Sequence, residues 1–451
     1  MAALPEYAAT WGIRLVDTES DVADFLGWVD DVAGLVSVDT ETCGLDWTGR
    51  SFTRLVQFAD DRVSWAVPTS WWGRPLTRAL QTIRDKEIPV AFWNASFDMK
   101  ALESDGFPVP HWHKVHDGYV LHHLLAPHLR HGLKWSAGQE LGSWATSGET
   151  WLKHQRAENN WTWETVPVDL PAYWQYGCID TLITQKMVRT LAPRVFEAGM
   201  KPAYERELHA LSVMTRAEAR GMRIDHKYAE STRREWLDRA LVLKDGLAAE
   251  GLTNPNSTQQ VAEVFKELGW APEDFTETGQ EVVDSIVLAK LAVQWPGLAN
   301  DIVEFKRLTK WIGSYPTPFA ESKGRVHPGI NTLRAKTGRM SITSPALQTL
   351  PSGGSAGAIR RCVLPEPGCE LWAIDYDGQE ARIFANLSGD PGMAEAYAAG
   401  DDLYTHVARI VWNDESIVKS DPRRKVAKVI LLAFTYGAGI ARLAEASGLP
   451  A

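Results

Sequence analysis

The chain has 451 residues, 45% of them apolar and 23% charged, a size and composition that predict two to four globular domains and exclude a fibre or a disordered chain. The N-terminus lacks a basic region followed by an apolar run, and no later segment approaches eighteen uninterrupted apolar residues, so a cytoplasmic protein without a membrane span is expected. A net charge of −10 argues mildly against nucleic-acid binding, yet residues 301–340 carry eight Lys or Arg against three Asp or Glu, which indicates either a local basic surface or a solvated charged face.

The first part of the chain has the pattern of an α/β domain. A strand is predicted in GLVSVDTETCGL (34–45), followed by a hairpin in RLVQFADDRVSWAVP (54–68). Helix, short strand and helix then alternate, and the domain is expected to end near residue 195. Four cysteines without CxxC spacing predict reduced thiols rather than zinc ligands or disulfides.

The rest of the chain begins with helices. Residues 203–250 have helical periodicity broken at Gly221, and further helices are predicted after a cap at Ser257 or Thr258 and over residues 301–315. Residues 324–368 are rich in Gly, Ser, Thr and Pro and predict short strands and loops. A buried strand that passes into a helix is expected from residue 370 onwards.

Four acidic residues from separate elements are candidate metal ligands. Asp39 and Glu41 are two apart on the first strand, so their side chains emerge on one face, and Asp98 and Asp180 end the stretches NASFD and YGCID. Tyr176 lies one helical turn before Asp180. Such a set can surround two divalent cations that activate water against a phosphodiester, although a D-x-E pair alone also occurs on ordinary loops.

Residues 30–190 resemble the DEDD family of 3′–5′ exonucleases in its tyrosine-bearing subtype. The resemblance rests on the order and spacing of these five residues and on HDGYVLHHLLAPH, where the family has a helix after an aspartate. It implies that the four acids bind metal and that Tyr176 positions the attacking water.

Two C-terminal stretches resemble motifs of family A DNA polymerases. AIDYDGQEARIFANLSGD resembles motif A, and RRKVAKVILLAFTYG resembles motif B, the fingers helix that meets the incoming nucleotide. At helical spacing Arg424 and Lys428 place two cations along one line for a triphosphate, with Leu432 and Tyr436 on the following turns. A solvated amphipathic helix is the alternative for this segment taken alone.

The polymerase resemblance assigns further roles. It implies that Asp375 and the backbone carbonyl of Tyr376 bind metal, that Glu380 lies at the sugar, and that Tyr436 stacks beside the new base pair. TGRMSITSPALQTLP resembles the segment that tracks the primer duplex, with Arg339, and more weakly Gln348, as DNA contacts. Two divalent cations per active site, Mg²⁺ or Mn²⁺, are expected.

The implied architecture is an RNase H-like exonuclease domain of mixed sheet and helices over residues 1–195. A palm entry and helical thumb over residues 196–330, and a partial palm and fingers of a right-hand polymerase over residues 331–451, are expected to follow. The implied function is DNA replication with proofreading in the cytoplasm of a bacterium or of a phage host. Primer-template DNA, a single-stranded 3′ end and dNTPs are the expected partners.

The chain departs from the family pattern in three ways. Asp377 is an added acid in motif A, Leu432 replaces the usual aromatic residue, and motif C, the histidine-aspartate turn with the second catalytic carboxylate, is not found. The expectation is therefore that residues 1–451 retain exonuclease activity alone unless a second polypeptide supplies motif C. A stand-alone exonuclease similar to ribonuclease D and a non-catalytic DNA-binding subunit are the alternatives.

Overall fold

The computed structural model of the chain describes residues 12–48, 52–322, 324–351, 353 and 355–447. The chain divides into two units, Met1–Pro367 and Gly368–Ala451. Within the described ranges, no helix combines the length and the apolar character needed to cross a membrane.

A six-stranded mixed sheet is the centre of the N-terminal part of the first unit. Its strands are β1 (Gly12–Leu15), β2 (Val36–Thr42), β3 (Thr53–Ala59), β4 (Val63–Pro68), β5 (Val90–Phe92) and β6 (Val115–Asp117). They lie in the order β1, β4, β3, β2, β5, β6. β3 pairs antiparallel with β2 and β4, which confirms the predicted hairpin, and the other neighbours pair parallel.

Eight helices of the described residues accompany this sheet. They are α1 (Glu19–Asp31), α2 (Thr69–Asp85), α3 (Ala95–Ser104), α4 (Gly118–Leu125), α5 (Leu133–Glu140), α6 (Ser147–Glu158), α7 (Pro171–Glu197) and α8 (Lys201–Arg220). The alternation of α2, β5 and α3 confirms the predicted helix, strand and helix. α7 packs against β2, β3, β4 and β5, so it crosses the middle of the sheet.

Helix α8 packs against the same hydrophobic core as the sheet. Tyr204 and Leu211 are buried in that core, and the backbone N–H of Asp117 donates to the Tyr204 hydroxyl at 3.0 Å. A buried ion pair between Lys100 of α3 and Glu218 of α8, at 2.6 Å, adds a polar contact. The expected domain boundary at residue 195 stays a prediction, and α8 is the element through which the next segment contacts the sheet.

Asp117, the last residue of β6, holds the segments that follow β5 and β6. Its buried carboxylate accepts hydrogen bonds from the backbone N–H groups of Ala95 and Tyr119, both at 2.8 Å, and longer ones from Asn94 and Val120. It therefore caps α4 and also holds the turn that begins α3, the helix of Asp98. Asp117 therefore has a structural role beside the cavity of the candidate acids.

We expect Asp117→Ala to lower the free energy of unfolding by about 3 kcal/mol, because a helix cap is lost and buried N–H groups lose their acceptor. Urea unfolding at pH 7 in EDTA measures the change. Asp61→Ala is the control, since Asp61 is exposed in the β3–β4 turn and its loss should change stability by less than about 0.5 kcal/mol. Equal losses in the two variants would contradict the cap assignment.

The remainder of the first unit has a second hydrophobic core built largely from helices. Its helices are α9 (His226–Ala249), α10 (Thr258–Glu267), α11 (Ser285–Gln294), α12 (Pro296–Ser314) and α13 (Pro316–Glu321). Short strands β7 (Met222–Arg223), β8 (Arg325–Val326), β9 (Gly329–Asn331) and β10 (Ser341–Thr343) form two small antiparallel sheets. These elements confirm the predicted helices and the predicted short strands and loops.

Two local signals in this region were predicted correctly. The helical run breaks at Gly221, which has φ +67° and where a Cβ atom would lie 2.5 Å from the Val326 carbonyl oxygen, so glycine is required there. Ser257 caps α10 by accepting a hydrogen bond from the Gln260 backbone N–H at 3.3 Å.

The second unit consists of helices in its described residues. They are α14 (Gln379–Ser388), α15 (Pro391–Ala398), α16 (Leu403–Trp412), α17 (Arg423–Thr435) and α18 (Ile440–Ser447). The buried strand expected before α14 is wrong: residues 369–376 have no strand structure, and Trp372 and Ile374 are 81% and 94% exposed. A strand needs a hydrogen-bonding neighbour, and the described part of this unit provides none.

Candidate active site

A cavity of about 450 Å³ at the carboxyl end of β2 contains all five residues of the predicted exonuclease site. β2 contributes Asp39 and Glu41, α3 contributes Asp98, and α7 contributes Tyr176 and Asp180. The structure thus brings together side chains that are up to 141 positions apart in the sequence. Their catalytic roles stay predictions.

Local structure explains how each element presents its side chain. On β2 the positions i and i+2 share a face, so Asp39 and Glu41 point to the same side. On α7 the positions i and i+4 are one turn apart, so Tyr176 lies beside Asp180 and interacts electrostatically with its carboxylate. Asp98 lies in the first turn of α3, directly after the loop that follows β5.

Two contacts hold acids within the cavity, and a third joins Lys134 to Tyr176. Thr40 donates its hydroxyl hydrogen to Asp98 at 2.7 Å. The Lys134 ammonium group, from the first turn of α5, contacts the Asp180 carboxylate and lies 4.7 Å from the centre of the Tyr176 ring. Lys134 therefore contacts both Asp180 and the ring of Tyr176.

Burial raises the pKa values of all four acids, and repulsion from the other site acids adds to this for Asp39 and Glu41. Burial raises the pKa of Asp98 to about 7. Burial, together with the charge of Asp98, raises the pKa of Asp39 well above its usual value, and burial together with Asp180 does the same for Glu41. Burial also raises the pKa of Asp180, against the opposing effect of Lys134.

The Tyr176 hydroxyl keeps its proton at neutral pH. The negative charge of Asp180, followed by burial, raises the pKa of the phenol far above its usual value. Tyr176 can therefore donate a hydrogen bond to, or orient, a neighbouring water, but it does not act as a base.

The donor chemistry of the cavity fits a hard divalent cation. Four carboxylates in one cleft are ligands that Mg²⁺ and Mn²⁺ prefer, and a bound cation would relieve the repulsion that raises their pKa values. As they are arranged, no three His, Cys, Asp or Glu side chains of the described residues converge closely enough to hold a metal ion. Asp180 is engaged with Lys134, so metal binding there requires this contact to loosen.

Sequence reasoning missed three contributors to this cavity. Lys134 and Thr40 contact the acids directly, and the Trp163 side chain forms part of the wall. The Arg156 guanidinium lies 3.7 Å from the centre of the Trp163 ring in a cation–π contact. Lys134 and Asp180 are 46 residues apart, so no sequence pattern links them. For Trp163, the abundance of tryptophans in the N-terminal part was a sequence signal that could have been used.

We expect Lys134→Met to lower the stability of the metal-free protein by about 2–3 kcal/mol, because it leaves the buried Asp180 without its cation. The same change should lower, by several-fold, the Mg²⁺ concentration needed for half-maximal thermal stabilisation, since the ammonium no longer competes for the carboxylate. Lys153→Met is the matched control, because Lys153 is paired with Glu149 on an exposed helix face. An unchanged Mg²⁺ midpoint would contradict the competition.

In the second unit, α17 carries the cations predicted to bind the triphosphate. Arg424 donates from Nε and Nη2 to the two carboxylate oxygens of Asp402 at 2.7 and 2.6 Å. The Tyr404 ring centre lies 5.3 Å from both the Arg424 and the Lys428 cation. Asp402 also caps α16, so one residue positions both the arginine and the helix that bears the tyrosine.

The other predicted residues of this unit have different surroundings. Leu432 is half-buried on α17, while Tyr436 directly follows the end of the helix and its hydroxyl donates to Glu380 at 3.1 Å. Glu380 lies in the first turn of α14, as motif A predicts. Asp375 and Tyr376 are exposed before that helix, and among the described residues no hydrogen bond or ion pair joins Asp375 to the cations of α17.

The two predicted DNA contacts of the first unit lie around β10. Arg339 is exposed in the turn before this strand. Gln348 accepts a hydrogen bond from the Ile342 backbone N–H at 3.2 Å, so it supports β10. Their contacts with DNA stay predictions.

Sequence comparisons match this chain over nearly its whole length. Residues 229–451 match the sequence model described as DNA polymerase family A, and residues 13–195 match that of a 3′–5′ exonuclease. The DNA polymerase of Mycobacterium phage D29 is 32% identical over 97% of this chain and 75% of its own length. DNA polymerase I of Chloroflexus aurantiacus is 29% identical over 84% of this chain and 41% of its own length.

The fold has a counterpart among solved structures. The POL domain of Pol1 from M. smegmatis, in complex with DNA primer-template and dNTP, superposes with a TM-score of 0.76 at 21% identity, over 97% of this chain and 73% of that one. The matches to both sequence models disfavour the stand-alone exonuclease and the non-catalytic subunit. The comparisons give no support to a second polypeptide that carries motif C.

Proposed function

We propose that the cavity at β2 is the active site of the proofreading reaction. The chain belongs to DNA polymerase family A and carries a 3′–5′ exonuclease domain. The chain is a DNA-directed DNA polymerase with 3′–5′ exonuclease that acts in DNA replication. The observation that carries the site assignment is the convergence of three buried carboxylates, the half-buried Asp39 and Tyr176 in one cavity.

Asp39, Glu41, Asp98 and Asp180 would hold two divalent cations, Mg²⁺ or Mn²⁺. Bound there, such cations lower the pKa of a water and neutralise the charge that develops on the phosphate. The residues of the chain do the rest: Tyr176 orients the water through its retained proton, and Thr40 and Lys134 fix Asp98 and Asp180. Trp163 offers an aromatic wall for the terminal base.

The same two-metal logic applies to the polymerase motifs. Asp375 and the carbonyl of Tyr376 would bind the cations, Arg424 and Lys428 the triphosphate, and Glu380, Leu432 and Tyr436 would surround the sugar and base of the dNTP. Arg339 and Gln348 would contact the primer duplex. The location in the cytoplasm of a bacterium or of a phage host stays a prediction.

A labelled primer annealed to a template tests the proposal. With Mg²⁺ and no dNTPs, a 5′-labelled primer should shorten one nucleotide at a time, and a 3′-labelled primer should release its label first as a mononucleotide. Cleavage inside the strand, or none at all, would contradict the assignment. Adding dNTPs and following extension of the same primer tests the polymerase activity.

A further inference from the structure

A second cavity, of about 200 Å³, adjoins the catalytic one. Asn94 and Phe97 line both cavities, so the two meet at the loop and first turn that lead to Asp98. The lining of the second cavity also includes Asn331, Arg334 and Thr343, from the segment that contains β9 and β10. A groove therefore runs from the predicted catalytic carboxylates to the segment that resembles the primer-tracking part of the polymerase.

The floor of this groove is polar and firmly held. Lys100 and Glu218 form their buried ion pair within its lining, and Ser96 adds a weak hydrogen bond to Glu218 at 3.4 Å. The charges of this pair cancel, and Asp117, which also lines the cavity, has its carboxylate hydrogen-bonded to four backbone N–H groups. The backbone carbonyl of Glu218 contacts the Nδ1 atom of His327 at 2.9 Å, which fixes α8 to the segment that leads into β9.

The rim of the groove is cationic. Arg334 lines it and is exposed, and Lys336 is exposed two residues further on. Neither side chain has a carboxylate partner among the described residues. From Ser322 to Pro365 the sequence contains seven Lys or Arg and no Asp or Glu, in a chain whose net charge is −10. Arg334 and Lys336 are therefore cations beside a groove, which are suited to phosphate groups.

The catalytic cavity itself needs such an approach. Its four carboxylates would repel the phosphodiester backbone of a DNA strand until cations neutralise them. Cations along the path to the cavity would offset this repulsion and guide the strand. Aligning the strand by its phosphates is independent of sequence, as a proofreading site requires.

We propose that this groove binds the phosphodiester backbone of the single-stranded 3′ terminus on its way to the exonuclease site, with Arg334 and Lys336 as its phosphate contacts. The inference rests on the proposed function and adds the path of the substrate to it. The polar side chains of Asn94, Asn331 and Thr343 offer hydrogen bonds to sugars and phosphates along the path.

The test measures binding of fluorescein-labelled oligo-dT by anisotropy in EDTA, which removes cleavage. We expect the double variant R334A/K336A to bind a long oligonucleotide at least tenfold more weakly than the unaltered chain. The slope of log affinity against log salt concentration should also fall by about 1.4, since each phosphate contact contributes about 0.7 for a single strand. A dinucleotide, too short to reach the rim, should bind equally to both proteins.

Two controls make the result specific. The matched variant R74A/K153A removes two exposed cations of the exonuclease region that line neither cavity, and R334K/K336R keeps the charges. Normal binding by both is expected. The proposal would be overturned if R74A/K153A weakened oligo-dT binding as much as R334A/K336A, or if R334A/K336A did not weaken it. It would also be overturned if R334A/K336A lost as much affinity for fully duplex DNA, because Arg334 and Lys336 would then be duplex contacts. If the chain bound oligo-dT in a salt-dependent way but did not degrade it in Mg²⁺, the proposed exonuclease function would be wrong. The proposal that the groove binds a single strand would still hold.

Discussion

Asp39→Asn is expected to lower the rate of 3′–5′ degradation by at least about 10³-fold, which corresponds to about 4 kcal/mol of activation free energy. Asparagine keeps the shape of the side chain but removes one of the charges that the divalent cations require. The measurement is the single-turnover rate of shortening of a 5′-labelled primer in Mg²⁺. Raising the Mg²⁺ concentration should recover only a small part of the rate, because the missing ligand also serves the transition state.

The same substitution is expected to leave the fold intact and to stabilise the metal-free protein. Asp39 shares the cavity with three other acids, and its charge is repelled by Asp98 and Glu41. The thermal midpoint in EDTA at pH 8 should therefore rise in Asp39→Asn, while activity is lost. Asp61→Asn, an exposed acid of the β3–β4 turn, is the control and should keep both rate and stability. A full exonuclease rate in Asp39→Asn would refute the assignment of the site.

The second large effect is a decrease in the stability of the metal-free protein as the pH rises. An ordinary salt-bridged acid has the opposite effect, because it stabilises a protein as the pH rises. The folded-state pKa of Asp98 is raised to about 7 by burial, whereas its unfolded-state value is near 3.8. Between these values the folded protein holds a proton that the unfolded chain has released. The stabilisation is complete below the unfolded-state pKa and is lost as the pH rises to about 7.

The expected loss for the metal-free protein is on the order of 2–4 kcal/mol between pH 4 and pH 7, from the size of the pKa shift. Urea unfolding in EDTA across this range, for the unaltered chain and for Asp98→Asn, isolates the effect, because the variant lacks the titrating group. The difference between the two should favour Asp98→Asn increasingly as the pH rises. Parallel curves would show that Asp98 does not titrate in this range.

Divalent cations should reverse this trend. Because they bind the ionised carboxylates, they compete with the protons. The apparent Mg²⁺ affinity should rise about tenfold per pH unit for each proton displaced, and the contribution of Asp98 should level off above about pH 7. Isothermal calorimetry in two buffers of different ionisation enthalpy would count the released protons. A pH-independent affinity would mean that the cations bind elsewhere.

Local sequence spacing was sufficient to predict the relative positions of two side chains where both lie on the same helix or strand. The i, i+2 relation of Asp39 and Glu41 and the i, i+4 relation of Tyr176 and Asp180 depend only on strand and helix geometry, and both pairs lie as predicted. The break at Gly221 and the cap at Ser257 are local in the same sense. The resemblance supplied the rest of the acid set, by linking Asp98 to elements with which it shares no local pattern.

Local spacing misled where an element depends on distant partners. Residues 369–376 have the apolar composition of a buried strand, yet in the structure they are exposed and unpaired, because a strand is completed by hydrogen bonds from elsewhere in the chain. Helix α17 was predicted correctly, but the carboxylate that holds Arg424 comes from Asp402, 22 residues earlier, and was not foreseen.

The sequence by itself determined the family, the two catalytic motifs and most of the individual helices and strands, because these follow from residue identities at short, regular separations. Only the tertiary structure decided that Lys134 contacts Asp180, that Glu218 pairs with Lys100, and that the catalytic cavity continues into a groove with a cationic rim. Such neighbours are set by the order of strands in the sheet and by the packing of helices on it. Burial then gives these contacts their effect, since charges removed from water interact strongly over distances that the sequence does not reveal.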